Sequence, residues 1–189
     1  MAIIPGVVAS SISGHLITGN FSLISQTTLG SSTSSYTFSS IPNTYSSLQL
    51  RLNVNDDSTG ATYNNFNLYF RVNGDSGNNY YSSNIYSFGS SVNSQGASQN
   101  VYGTIGNIGY ANASTQFTGT VINFADYANT NKYKSIQSMN GIDFNSSGYG
   151  FVVAGYSTWA STSAINSITV VPQSNNLAAG STLSLYGVL

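Results

Sequence analysis

The chain predicts an all-β, single-domain antiparallel β-sandwich, jelly-roll-like in its rhythm, with an extended N-terminal arm. Three observations predict it. Between Ser46 and Tyr81, Leu48, Leu50, Leu52 and Val54 alternate with Gln49, Arg51 and Asn53, and Phe66, Leu68, Phe70 and Val72 alternate with Asn67, Tyr69 and Arg71. Side chains on a strand alternate with period two, so each half is a strand with one buried and one wet face. Comparable β-prone runs recur, about ten of them at roughly 8–16-residue spacing, the rhythm of a sandwich or jelly roll. No window combines a helical period with caps, so helix is expected in under about a tenth of the chain, against a usual ~30–35%.

Taken in order, residues 1–20 carry Pro5, Gly6, Gly14 and Gly19 without a regular period. They read as an extended arm with Ile3, Ile4, Val7 and Val8 as an apolar tip, or equally as an edge strand of the body. An ordered terminus must dock on its own body or on a neighbour. The opening lacks the basic start of a secretory signal, so it reads as part of the mature protein. Residues 21–189 form the sandwich. Strands are expected at Phe21–Leu29, Ser35–Ser40, the two halves of 46–81 as a central hairpin, and Tyr80–Phe88. Residues 89–100, GSSVNSQGASQN, read as a small-polar loop. Val101–Ile108, Phe117–Tyr127 and Lys132–Met139 follow as strands. Met139–Gly150 reads mostly as turn chemistry, and Phe151–Thr158, Ala164–Val171 and Thr182–Val188 complete the set. Inside 46–81, NDDSTG is a cluster of turn-formers and NGD supplies the φ > 0 residues of a tight reversal.

Composition narrows the function classes. Only 5% of the 189 residues are charged, four basic and five acidic, for a net charge of −1. No basic patch can neutralise phosphates, which argues against nucleic acid. No run approaches the ~18 apolar residues of a membrane helix. The surface must be wetted by hydroxyls and amides, and near-zero net charge favours association. There is no cysteine, hence no disulfide and no thiolate metal site.

Catalytic and metal readings are thin. His15, the only histidine, has no second histidine or cysteine to complete a zinc site or a nucleophile–base pair. Asp56, Asp57 and Asp75 lie on loops and are the best residues for calcium, but without the spacing of a calcium loop they read as ordinary turn chemistry. Carboxylate-pair hydrolysis would have to use Asp with Asp, in no recognisable context. No enzyme activity and no cofactor are expected. Arg51 and Arg71 take outward positions on the two central strands. If those strands are neighbours, both guanidiniums share a face with Tyr69, either as a solvated face or as an interface anchor. The candidate interface set is Ile3, Ile4, Val7, Val8, His15, Arg51, Tyr69 and Arg71. Tyr80, Tyr81, Tyr86, Tyr102 and Trp159 could make a sugar-stacking platform, a sheet face or a protein contact.

IPGVVASSISGHL, YTFSSIPNTYSSLQLRLNV, LYFRVNGDSGNNYYS and INSITVV with STLSLYGV together resemble a family of small tailed-phage virion structural proteins, across nearly the whole chain. Some members are thought to be capsid decoration (cement) proteins, others tail-fibre or tip components. The resemblance implies a decoration protein on the capsid exterior of the virion. Its partners would be the major capsid protein and other copies of itself, with no nucleic acid and no membrane. The alternative it implies is a tail-fibre module that recognises host surface glycans. Where members often carry a second Arg a few residues after the one matching Arg51, this chain has Asn55-Asp56-Asp57, so a paired basic site is not carried over.

Overall fold

A computed structural model describes residues 20–58, 66–108, 116–146 and 149–189. The expected arm residues Ile3, Ile4, Val7, Val8 and His15 lie outside them. Twelve strands and no helix occupy the described residues: β1 (Phe21–Thr28), β2 (Tyr36–Phe38), β3 (Ser47–Val54), β4 (Phe66–Val72), β5 (Tyr80–Phe88), β6 (Ser91–Asn100), β7 (Gly103–Ile108), β8 (Thr118–Ala125), β9 (Lys134–Ser146), β10 (Tyr149–Trp159), β11 (Ile168–Pro172) and β12 (Thr182–Val188).

The pairing is nested. β1 pairs with β12, β2 with β11, β3 with β8 and β4 with β7, all antiparallel. Consecutive strands of this set alternate between two sheets except at β4 and β7, which pair within one of them, as two interlocked Greek keys require, so the body is a jelly roll. Two extra hairpins are inserted. β5–β6 enters between β4 and β7, β9–β10 between β8 and β11, and both join the first sheet. Its order becomes β1-β12-β3-β8-β9-β10-β5-β6, and the second sheet remains β2-β11-β4-β7.

Burial follows the alternation. Leu48, Leu50, Leu52 and Val54 on β3, Leu68, Phe70 and Val72 on β4, Ile122 and Phe124 on β8, and Leu183 and Leu185 on β12 form one core between the sheets. The Phe70 ring stands edge-on to Phe124 and to Tyr80, with centroids 5.6 and 6.0 Å apart. Gly103 passes directly over that ring, where a Cβ would come within 2.1 Å of Phe70 Cζ. The NGD reversal forms as expected. Asn73 and Gly74 take φ of 53° and 67°, and Asp75 N–H closes the turn onto Val72 C=O at 2.9 Å.

Three expectations are corrected. The halves of 46–81 are not a hairpin: β3 belongs to the large sheet and β4 to the small one, so the chain crosses the sandwich between them. Residues 91–100 are a strand rather than a loop, because β5 supplies a ladder for a segment with no apolar period of its own. Beyond Met139 the chain also stays extended to Ser146, paired with β10.

Candidate functional site

The outer face of the large sheet follows from its register. One rung runs Arg51, Val121, Met139, Ala154, Ile85, Ser94 across β3, β8, β9, β10, β5 and β6. The next rung runs Asn53, Gly119, Gly141, Val152, Ser87, Val92 over the same strands. Val92, Met139, Ile85 and Val152 are 74%, 65%, 59% and 58% exposed, so this is an uncovered apolar surface. With strands ~4.8 Å apart, the four steps from Val121 to Val92 span about 19 Å. Singly exposed apolar residues are ordinary, whereas a contiguous patch of this kind marks a contact surface.

The face is dimpled. Gly119 and Gly141 stand directly opposite each other, and a Cβ on Gly119 would meet nothing within 4 Å. Paired glycines weaken a sheet interior and suit a place where something approaches closely. Here they floor a hollow of about 550 Å³ walled by Val121, Met139 and Val152, with Arg51 on its rim. A second hollow of about 420 Å³ opens on the same face between Ile85, Gln137 and Tyr156 over the small side chain of Ala154.

The two arginines are separated, because their strands belong to different sheets. Arg51 lies on this outer face with its guanidinium carbon 4.5 Å from the Tyr186 ring centroid and 4.8 Å from that of Phe21. Its Nε donates to Gln49 Oε1 at 2.6 Å. Arg71 belongs to the small sheet, its guanidinium 3.9 Å from the Tyr102 centroid and its Nε donating to Val101 C=O at 3.2 Å. Tyr102 in turn stacks on Tyr69 at 5.1 Å. Arg51 and Arg71 therefore share no face; Tyr69 accompanies Arg71 alone.

The tyrosine platform is likewise dispersed. Tyr80 and Trp159 are buried, Tyr81 lies on the outer face, and Tyr86 faces the interior side of β5. Tyr80 donates to Asp75 C=O and accepts from Val72 N–H, and burial pushes its hydroxyl up to about 12.

No family model, curated protein or solved structure matches the chain. Its likeness to tailed-phage virion proteins rests on the sequence motifs alone.

A second feature arises where the small sheet ends. β7 is its edge strand and lies over the inner face of β8, β9, β10 and β5. The free edge of β7 is satisfied by side chains rising from the large sheet. Ser138 Oγ donates to Ile105 C=O, Ser157 Oγ to Thr104 C=O, and Asn140 Nδ2 to Asn107 C=O, while Asn140 Oδ1 and Ser82 Oγ accept from Asn107 and Thr104 N–H. Beyond β7 the floor of β5 and β6 is left uncovered by the small sheet. The resulting cleft is lined by Asn67, Asn84, Tyr86, Gln95 and Asn107, with Tyr69, Asn100 and Thr104 at one end.

The aspartates are engaged in turns. Asp56 Oδ1 accepts from Ser58, and Asp57 takes Asn176 N–H and Nδ2 at 2.9 Å each, which clips the 175–177 loop to the end of β3. Asp75 accepts from Trp159 Nε1 at 2.7 Å, Asn79 Nδ2 at 2.9 Å and Gly77 N–H at 2.8 Å. Among the described residues no three His, Cys, Asp or Glu gather into a metal-binding group. Lys134 is buried at the start of β9, and its ammonium donates to the carbonyls of Asn129, Lys132 and Thr162. Burial lowers its pKa, aided by Lys132 and opposed by Asp126. Its three donors tie loops together.

Proposed function

We propose that this chain is a structural protein of a tailed-phage particle, a decoration protein seated on the outside of the head. It grips the major capsid protein with the outer face of its large sheet. One observation carries the reading: an uncharged apolar grid across β8, β9, β10, β5 and β6, with a glycine-floored hollow at its β8–β9 end and Arg51 on the rim. An aliphatic or aromatic side chain of a shell subunit fits that hollow, with Arg51 closing over it as an interface anchor. The near-neutral surface suits a crowded array of copies, and the motifs resembling tailed-phage virion proteins point to the same setting. β6 gives a route to self-association. It is an edge strand of ten residues, SVNSQGASQN, without charge or proline to discourage pairing with another copy.

The test is reconstitution on heads that lack the protein. Wild-type chain is expected to bind at the copy number of shell subunits. Met139→Glu and Val152→Glu, both on the solvent face, are expected to fold normally and to weaken head binding at least about tenfold. Undiminished decoration by both variants, or incorporation at the few copies of a tail component, would overturn the reading.

A further inference from the structure

The amide-lined cleft beside β7 lies on the opposite side of the large sheet from the docking face and has no part in it. Its two hollows, of about 230 and 80 Å³, share Asn67, Asn84 and Gln95. Each alone is smaller than the ~300–1,000 Å³ of drug-sized sites, together they only reach its lower end, and they run along the strands rather than into the core. No Lys, Arg or Asp lines either hollow. Asn84 Oδ1 is buried there and accepts no hydrogen bond. A buried acceptor without a donor is costly, so a ligand that brings one is favoured.

We propose that this cleft binds a neutral oligosaccharide. An amide presents donors and an acceptor side by side, and each sugar hydroxyl is both donor and acceptor, so neighbouring hydroxyls of a ring match an array of Asn and Gln. The Tyr86 ring on the floor offers an apolar surface for the C–H face of a sugar. The wall is held before any ligand arrives. Asn67 Nδ2 donates to Tyr69 Oη at 3.3 Å and to Gln173 Oε1 at 3.1 Å, and Gln173 Oε1 also accepts the Asn67 backbone N–H. Held side chains lose less freedom on binding. A carboxylate or sulfate in this cleft would give up hydration without gaining a counter-charge, which disfavours acidic glycans.

The experiment presents the full-length chain to an array of neutral glucans, mannans, galactans and N-acetylhexosamine oligomers beside sialylated and uronate-bearing glycans. Bound sugars are then titrated by calorimetry. Binding is expected among the neutral glycans only. Asn84→Leu and Gln95→Ala are each expected to weaken it about tenfold. Gln95 is exposed on the edge strand, so its replacement carries the test even if Asn84→Leu lowers stability. Val152→Glu on the opposite face is expected to leave sugar binding unchanged, which separates this site from head docking. Absence of any neutral-glycan binding, a preference for acidic glycans, or indifference to Gln95→Ala would each overturn the proposal.

Discussion

At the scale of single residues, this chain places its few charges inside hydrogen-bond networks. Asp75 is the clearest case. Burial raises its pKa, but the bonds from Trp159, Asn79 and Gly77, with the Arg71 charge, outweigh that and leave it lowered. Asp57 is also lowered, chiefly by its side-chain bond from Asn176. A carboxyl whose folded pKa is depressed contributes stability that is present above its unfolded value, near 3.9, and lost as pH falls through the folded value. Acid below about pH 4 should therefore loosen the protein. Asp75→Asn should cost about 1–2 kcal/mol at neutral pH, discounted for partial exposure, and flatten part of the acid dependence. Trp159 is the sole tryptophan and bonds Asp75 directly, so its fluorescence reports the loss in urea melts at pH 7 and pH 3. An unchanged pH dependence in Asp75→Asn would remove Asp75 from this role. Sequence foresaw these aspartates as turn residues, since Asx side chains bond their own loop. It could not foresee the distant partners, Trp159 and Asn176, which only the fold brings near.

At the scale of elements, what was legible depended on whether a strand carries its own pattern. β3 and β12 fall where the sequence puts them, because one face is core and the alternation shows it, and β5 does so through a tyrosine-rich, β-prone run. β6 has no such pattern; its extension is imposed by β5. The misread hairpin has the same origin. NDDSTG looks like a hairpin loop, but β3 finds its partners in β8 and β12, strands far along the chain. Loop closure over such distances leaves no local trace in a sequence. The small Ser and Gly residues of β9 and β10 are what let β7 approach. At Gly155 an added Cβ would come within 2.5 Å of Ser138 Oγ, the hydroxyl that bonds Ile105 C=O. Gly155→Val should therefore push β7 off the large sheet and cost about 1–3 kcal/mol. Gly119→Val, in the same sheet but over open space, should leave stability unchanged or raised while filling the hollow and reducing the proposed head binding. Thermal melts of the pair decide it: equal losses would mean that glycine content, not the approach of β7, sets the cost.

At the scale of the whole molecule, the jelly roll supplies a rigid body and the two inserted hairpins supply the surfaces. Without β5–β6 and β9–β10, the first sheet would end at β8, and neither the apolar grid nor the cleft would exist. The grid and the near-absence of charge then dictate how docking should respond to solvent. Charged interfaces weaken as salt shortens the Debye length from about 30 Å at 0.01 M to about 3 Å at 1 M. An apolar face bearing a single Arg on its rim has little to screen, and excluded salts such as sulfate strengthen apolar burial. The proposed head binding, measured by co-sedimentation, should thus hold steady from low to high sodium chloride and tighten in ammonium sulfate. Arg51→Ala should weaken it without introducing a salt dependence, because the lost contribution is packing against a partner side chain rather than long-range attraction. A steep fall of binding with sodium chloride would place the contact elsewhere, on a charged surface that the described residues do not present.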